Sequence, residues 1–402
     1  MLLDSDFRFC LQQIDGRQRT KDKLPTFASV PGWMYPPRLN LEQCSSERTA
    51  RFKAGLLAVG HRPSVEEEPI AQSLKPMVLI DATGGYGVDT FFMSEKARET
   101  HYFEQNTDLA AIAAHNFRLA GKSIHCHAEP FDVNCLSTLI EPMSGEHASD
   151  VGGKAVLYID PARRDSHGGK VFRLADCTPD VTGIVRYVQR NCPSVRVLLK
   201  LSPMLDHHQA IAQLGGSWDV YVVSVANEVK ELLLLSGGTQ TIHAVSLDET
   251  GAHTLSFTSD EEQSALVQYF ELEYSGVSSL CETVYIYEPD AALLKAGAFR
   301  LLSARYGLRK AAANTHLYLA DTLELFRAVP LPGRVWQITG VYTRPKELQH
   351  VLTRANILTR NYVLPVDALR KQLKLKDGGD DYIIGCRVAD KPLLLHCRRC
   401  RL

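Results

Sequence analysis

The sequence predicts an α/β fold built on a doubly wound sheet, and three observations carry that expectation. Met77-Val78-Leu79-Ile80 is an unbroken apolar run, as in a strand covered on both faces. The run ends in Asp81 and turns through Thr83-Gly84-Gly85-Tyr86-Gly87 into a helix start. From Ser73 to about Ser246, strand patterns alternate with helix patterns, which implies parallel pairing. Ligands of open sheets bind at the carboxyl edge of the strands, and Asp81 falls on that edge.

The elements follow from local pattern. Residues 1–73 read as helical and irregular. Pro25, Pro31, Pro36 and Pro37, with Trp33 and Tyr35 between them, suit an extended arm laid on another surface. Ser45 or Ser46 caps a helix running to about Val59 that carries Arg48, Arg51 and Lys53. Glu66-Glu67-Glu68-Pro69 marks a solvated boundary. After the glycine turn, Asp89 to Arg98 is a predicted helix and His101 to Glu104 a short strand ending in an acid. Thr107 to Leu119 is a helix stopped by Gly121. Further strands are predicted over 123–127, 155–159, 195–199 and 218–225. Beyond Leu255 the pattern changes to small α+β units. These have strands at 283–287, 316–319, 334–342, 382–388 and 392–396. One helix is capped by Asp290 and ended by Gly307, and two more are opened by Pro345 and Pro365. Pro330-Leu331-Pro332-Gly333 reads as a linker.

Composition bounds the function. The 402 residues are 45% hydrophobic and 23% charged, which suits a soluble globular protein of two to three domains. Met1-Leu2-Leu3-Asp4-Ser5-Asp6 lacks the basic start and apolar run of a signal peptide, and no apolar run is long enough to span a bilayer. Ten cysteines in such a chain read as reduced thiols, so a cytoplasmic location is expected. The net charge of −1 conceals an asymmetry. Residues 291–402 hold about 20 Lys/Arg against about 8 Asp/Glu, leaving that stretch roughly +12 and the remainder roughly −13. A basic module joined to an acidic one points to a polyanionic partner, set against the simpler reading of a solvated basic face.

The glycine stretch admits three readings. The first is a plain strand-to-helix turn. The second is a dinucleotide fingerprint, which needs glycine at its first, third and sixth positions. Starting at Gly85, the third is Gly87 but the sixth is Thr90, so that pattern fails. The third is an S-adenosylmethionine site, which needs an acid near the ligand's ammonium and bare backbone beside the nucleoside. Asp81, Thr83, Gly84, Gly85 and Gly87 suit it. Glu104, about 20 residues after the turn, is placed to take ribose hydroxyls. Glu129 and Asp132 follow the third strand, where an adenine-edge contact would lie. Asp160-Pro161-Ala162-Arg163-Arg164-Asp165 follows the fourth strand and faces the ligand across the strand-order switch. Methyl transfer is an in-line displacement, so the protein positions the nucleophile and accepts its proton. Asp160 is the candidate for both tasks, Pro161 fixes the turn, and Arg163 is a candidate for stacking on a base or binding phosphate.

These motifs resemble the class I S-adenosylmethionine-dependent methyltransferases across residues 74–250. The acid–proline loop is similar to the Asp/Asn-Pro-Pro-aromatic loop of enzymes that methylate nucleobase nitrogens, with Ala162 and Arg163 as departures. The whole chain resembles a bacterial methyltransferase family with ferredoxin-like and THUMP-like C-terminal domains. The matching stretches are Tyr35-Pro36-Pro37-Arg38-Leu39, Glu42-Gln43-Cys44-Ser45-Ser46, Asp160 to Arg164, Asn227-Glu228-Val229-Lys230-Glu231-Leu232 and Leu358-Thr359-Arg360-Asn361-Tyr362. The resemblance implies a Rossmann-like sheet with an N-terminal helical arm and small α+β C-terminal domains. Its implied divisions are an arm (1–73), a cofactor-binding domain (74–250), a ferredoxin-like domain (251–329) and a basic THUMP-like domain (330–402). It implies S-adenosylmethionine as cofactor, no metal, and a base of structured RNA as substrate, held through residues 291–402. Two alternatives stay open: a methyltransferase fold kept as an RNA-binding scaffold, and a methyltransferase for protein or small molecules. Weaker candidates are Lys200 to Pro203 and Asn227-Glu228 as pocket residues, Cys177 as a nucleophile, and Cys397-x-x-Cys400 or His125-Cys126-His127 as metal ligands.

Overall fold

The computed structural model describes residues 4–58, 78–140, 155–163, 174, 177–271, 284–329, 331–349 and 351–400. The expected boundary at Glu66 to Pro69, Met77, Arg164 and Asp165 lie outside the described residues. The chain divides into two compact units, Met1–Val220 with Glu231–Gln240, and Tyr221–Lys230 with Thr241–Leu402. No helix among the described residues is long and apolar enough to cross a membrane.

The first unit opens with α1 (Asp4–Thr20), α2 (Pro25–Ser29), α3 (Arg38–Gln43) and α4 (Glu47–Ala58). The sheet and its connections then alternate: β1 (Val78–Asp81), α5 (Val88–Met93), β2 (Glu99–Phe103), α6 (Thr107–Leu119), β3 (His125–His127), α7 (Leu136–Ile140) and β4 (Ala155–Ile159). The short β5 (Ala162–Arg163) and β6 (Cys177–Thr178) pair with each other. Then come α8 (Val181–Asn191), β7 (Val195–Leu201), α9 (His207–Leu214), β8 (Trp218–Val225) and β9 (Glu228–Ser236), of which residues 221–225 and 228–230 fall in the second unit. The strand order is β3-β2-β1-β4-β7-β9-β8. The pairs β1–β2, β1–β4, β2–β3 and β4–β7 are parallel, and all of β1 and β4 is buried, as two-sided helical cover requires.

The alternation of strand and helix leads one to expect parallel pairing throughout, and β9 departs from it. It runs antiparallel to β7, with Leu198 opposite Leu235. The cause is local: Ala226 (φ 53°) and Asn227 (φ 64°) both adopt left-handed backbone, which closes β8 and β9 into a two-residue hairpin. Without a glycine, Ala-Asn carries little sign of such a turn.

The proline-rich arm lies on its own unit. Trp33 Nε1 donates to Tyr86 Oη at 2.7 Å, and the Trp33 ring meets Phe27 at 4.2 Å and Phe91 at 5.8 Å. Asn116, on α6, clamps the arm's backbone. Its Oδ1 accepts from Met34 N at 2.9 Å and its Nδ2 donates to Met34 O at 2.8 Å. Prolines cannot supply ladder donors, and side chains satisfy this segment instead: Asn116 at Met34, and Gln12 and Gln13 of α1 at Tyr35.

The second unit contains the antiparallel pair β10 (Thr241–Leu247) and β11 (Ala252–Thr258), then α10 (Ser259–Ser264) with a Thr258/Glu261 capping box. After β12 (Tyr285–Pro289), the sequence pattern leads one to expect a single helix ending at Gly307. Gly297, at φ 85°, stops it after one turn and a half, giving α11 (Ala291–Ala296) and α12 (Leu301–Tyr306). The remaining elements are β13 (Arg309–Ala312), β14 (Thr315–Ala320), α13 (Glu324–Ala328), β15 (Gly333–Tyr342), α14 (Pro345–Leu348), β16 (Asn356–Arg360), α15 (Val366–Leu373), β17 (Asp381–Val388) and β18 (Lys391–Arg399). They form one sheet in the order β13-β14-β12-β15-β18-β17-β16. Of the stretch expected as a linker, residues 331–333 are packed rather than free, and Pro330 lies outside the described residues. Leu331 is buried, Pro332 O accepts from Tyr287 Oη at 2.7 Å, and Gly333 begins β15.

Asn116 is 1% exposed, and its truncation strands the Met34 amide, while Met34 O keeps the Tyr86 hydroxyl. Asn116→Ala is expected to cost about 1–3 kcal/mol, read as a lowered denaturation midpoint of the full chain. A midpoint unchanged from wild type would show that the clamp contributes nothing.

Candidate functional site

β1 lies between β2 and β4, so the connections leave it in opposite directions and open a crevice at the carboxyl edge. A cavity of about 740 Å³ occupies that edge. Its walls are the Asp81–Asp89 turn, Phe103 to Asn106, Pro130-Phe131, Tyr158, Asp160 to Ala162, Thr178-Pro179, Lys200, and Asn40 with Gln43 to Ser45 from the N-terminal arm.

Asp81 ends β1 and is 1% exposed. Its Oδ1 accepts from Thr83 N at 3.0 Å and its Oδ2 from Thr90 Oγ1. Burial pushes this carboxyl up to about 7, against the opposing effect of those two hydrogen bonds. Thr83 Oγ1 accepts from Asp160 N at 2.6 Å, which ties the first turn to the loop after β4. The glycines have different reasons. A Cβ on Gly84 would lie 2.0 Å from the Tyr102 ring, whereas Gly85 takes φ +55° and a Cβ there would meet only Thr83 O, at 3.8 Å. Glu104 braces the turn, since its Oε2 accepts from Gly85 N and its Oε1 from Asn106 N, each at 2.8 Å.

Of the predicted site residues, Asp81, Thr83, Gly84, Gly85, Gly87, Glu104, Asp160 and Pro161 line this one cavity. Asp132 does not. The chain after β3 turns Pro130 and Phe131 inward, and Asp132 Oδ1 instead caps a helical turn through Asn134 N at 3.0 Å. Arg163 pairs through its backbone with Cys177 in the β5–β6 ladder, and its side chain lies outside the described residues. Asn227 Oδ1 accepts from Ala291 N at 2.9 Å, so it caps α11 and does not line the cavity.

Asp160 Oδ2 accepts from Lys200 Nζ at 2.5 Å. Burial works against the Lys200 charge, but Asp160, Asp89 and Glu231 together hold its ammonium well above the usual lysine range. Behind this pair sits a charge cluster that sequence reasoning did not foresee. Lys53, on α4, is wholly buried, with its Nζ 2.6 Å from both Glu231 carboxylate oxygens and 3.2 Å from Asp89 Oδ1. Asp89 Oδ2 accepts from Tyr158 Oη at 2.7 Å and Ser45 Oγ at 2.8 Å. Despite burial, Lys53 and Lys200 hold the Asp89 carboxyl below the usual range. One signal was present in the sequence. Lys53 shares a helix face with Ala50, Ala54 and Leu57, and Glu231 precedes the apolar run Leu232 to Leu235, so each charge needed a buried partner.

Known proteins agree with this architecture. Residues 285–326 match a ferredoxin-like domain family, and residues 333–399 match a THUMP domain-like family. Uncharacterized S-adenosylmethionine-dependent methyltransferases of Mycobacterium tuberculosis, strains CDC 1551 and H37Rv, are 26% identical over 313 residues, 76% of this chain and 76% of theirs. The crystal structure of a candidate methyltransferase from Porphyromonas gingivalis W83 is 29% identical, with a TM-score of 0.81. The similarity covers 100% of this chain and 92% of that one. With a structural relative covering the whole chain and the two domain matches at its C-terminal end, the chain is an S-adenosylmethionine-dependent methyltransferase that carries ferredoxin-like and THUMP-like domains.

Proposed function

We propose that this protein methylates a structured RNA, with the cofactor in the β1–β4 cavity and the RNA held by the basic stretch 291–402. The observation that carries the site assignment is the Asp160–Lys200 pair, which shares a cavity with the glycine turn and is tied to it through Thr83. The THUMP domain-like match at 333–399 supports RNA as the partner.

The residues fit the cofactor on three counts. The cavity volume of about 740 Å³ is within the range of small-molecule sites. Gly85 leaves open space above the turn, so a nucleoside can lie against the backbone. Glu104 has both oxygens fixed by amides, which leaves the remaining lone pairs for ribose hydroxyls. S-adenosylmethionine supplies an electrophilic methyl on a sulfonium. Asp81 would receive the ligand's ammonium, Phe103 and Phe131 would flank the adenine, and Asp160 would hold the acceptor and take its proton. Pro161 shapes that loop, and Arg163 follows as an RNA contact. Asp132 is left out of this set because it does not line the cavity.

Because Asp81 is held near 7, a ligand ammonium beside it must expel a proton at lower pH. S-adenosylhomocysteine affinity should therefore rise with pH, by up to tenfold per unit below about 7, and level off above it. Calorimetric titration across pH 5.5–8.5 reads this, and Asp81→Asn should flatten the profile. A flat wild-type profile would remove Asp81 from the ammonium site.

Asp160→Ala should lower methyl transfer by roughly 10²-fold or more while S-adenosylhomocysteine still raises the melting midpoint. Intact turnover in that variant would remove the assigned role.

Lys371, Lys374 and Lys376 are exposed. Charge reversal at all three should weaken RNA binding in a filter assay and flatten its salt dependence. An unchanged salt slope would place the RNA elsewhere.

A further inference from the structure

We propose that the methylated atom is a hydroxyl oxygen, the ribose 2′-hydroxyl of the RNA, held between Lys200 and Asp160. This deepens, and rests on, the RNA reading above. It departs from the base nitrogen that the acid–proline loop leads one to expect.

The argument starts from what the two side chains offer. Lys200 Nζ stands 2.5 Å from Asp160 Oδ2, and both residues line the cavity. An acceptor atom reaching this point meets an ammonium donor and a carboxylate acceptor together. A hydroxyl satisfies both. It donates its proton to the carboxylate, accepts from the ammonium on one lone pair, and keeps the other lone pair for attack. An exocyclic base amine has protons to donate but no second lone pair. An ammonium against it finds no spare lone pair to donate to and opposes the attacking electrons.

The demand for charge differs in the same direction. A sugar hydroxyl is a very weak acid, and oxygen gains negative character as its proton leaves. A fixed cation beside it stabilises that charge. An amine attacks through a lone pair it already has. The turn after Asp160 is also poorly suited to a flipped base. Arg163 stands where the base-methylating loops carry an aromatic ring, and the cavity's Phe103 and Phe131 are on the Glu104 side.

The buried cluster has a role under this assignment. Lys200 is only 12% exposed, and a lysine so enclosed tends to lose its proton. Asp160, Asp89 and Glu231 oppose that loss. Lys53 in turn lies 3.2 Å from Asp89 and 2.6 Å from Glu231, and its charge helps hold the Asp89 carboxyl below the usual range. Lys53, Asp89 and Glu231 are thus positioning residues for the Lys200 charge. In the transfer itself the hydroxyl oxygen forms its bond to the methyl carbon as the carbon–sulfur bond breaks. The released electron pair stays on sulfur, giving S-adenosylhomocysteine, and the hydroxyl proton passes to Asp160.

The test uses the full chain, S-adenosylmethionine carrying a labelled methyl, and total RNA from cells lacking the gene. The RNA is digested to nucleosides for mass spectrometry, and a second portion is treated with alkali. Label on the sugar, with one alkali-resistant linkage at the modified nucleotide, is the expected result. Label on a base overturns the hydroxyl assignment and leaves the RNA reading standing. RNA without label overturns both. Lys200→Met should lower kcat about 10²–10³-fold with the S-adenosylhomocysteine thermal shift preserved, and Lys200→Arg should recover part of the loss. A Lys200→Met protein that binds the ligand and turns over within about threefold of wild type would also overturn the assignment.

Discussion

The Lys53 ammonium has no access to water, and the first unit is built around neutralising it. An unpaired buried cation costs several kcal/mol, so its partners must be held in place. They come from distant parts of the chain: Glu231 from β9, Asp89 from α5, and Ser45 from the segment before α4. The ion cluster therefore fastens the N-terminal helices to the sheet's carboxyl edge. The antiparallel return of β9 sets Leu232 opposite Leu201 and so brings Glu231 to the end of β7. Replacing such a cluster with apolar side chains is often neutral or stabilising for a fold. Its presence beneath the cavity is better explained by chemistry at Lys200 and Asp160 than by stability alone.

The same edge shows how little of the site belongs to any single element. Asp81, Thr83 and the glycines come from the β1 turn, Glu104 from the end of β2, and Asp160 from the loop after β4. Lys200 comes from β7, and Asn40 with Gln43 to Ser45 from the arm. Strand order does the assembling. With β1 between β2 and β4, three strand ends converge on one crevice, and the Thr83–Asp160 hydrogen bond holds its two sides together. The arm closes one wall of the cavity, and it is fixed there by Asn116 and Tyr86. In the second unit, the ferredoxin-like and THUMP-like segments share one sheet through the β12–β15 pairing. Glu288, on β12, binds both Arg334 and Arg360.

Much of this was legible in the residues. Helix α6 and strands β4 and β8 have the bounds their patterns predict, because each is a long periodic or apolar run with a clear stop. The glycine turn and the acids at strand ends were legible because each is a local signal. The places where reading failed have a common character. The Ala226-Asn227 hairpin lacks the usual glycine, Gly297 broke a helix whose apolar period continues past it, and Asp132 turned outward while its neighbours turned in. In each case two local outcomes have similar energies, and packing selects between them.

By itself, then, the sequence determined the α/β alternation, the turn chemistry after β1, the acid–proline loop after β4, and the charge division between the two parts of the chain. These depend on neighbours a few residues apart, and their energies are local. Only the tertiary structure decided that Lys53, Asp89, Glu231, Lys200 and Asp160 form one charged assembly, and that the arm covers its own domain. Lys53 and Glu231 are 178 residues apart, and no periodicity links them. What joins them is that neither charge can be buried without the other.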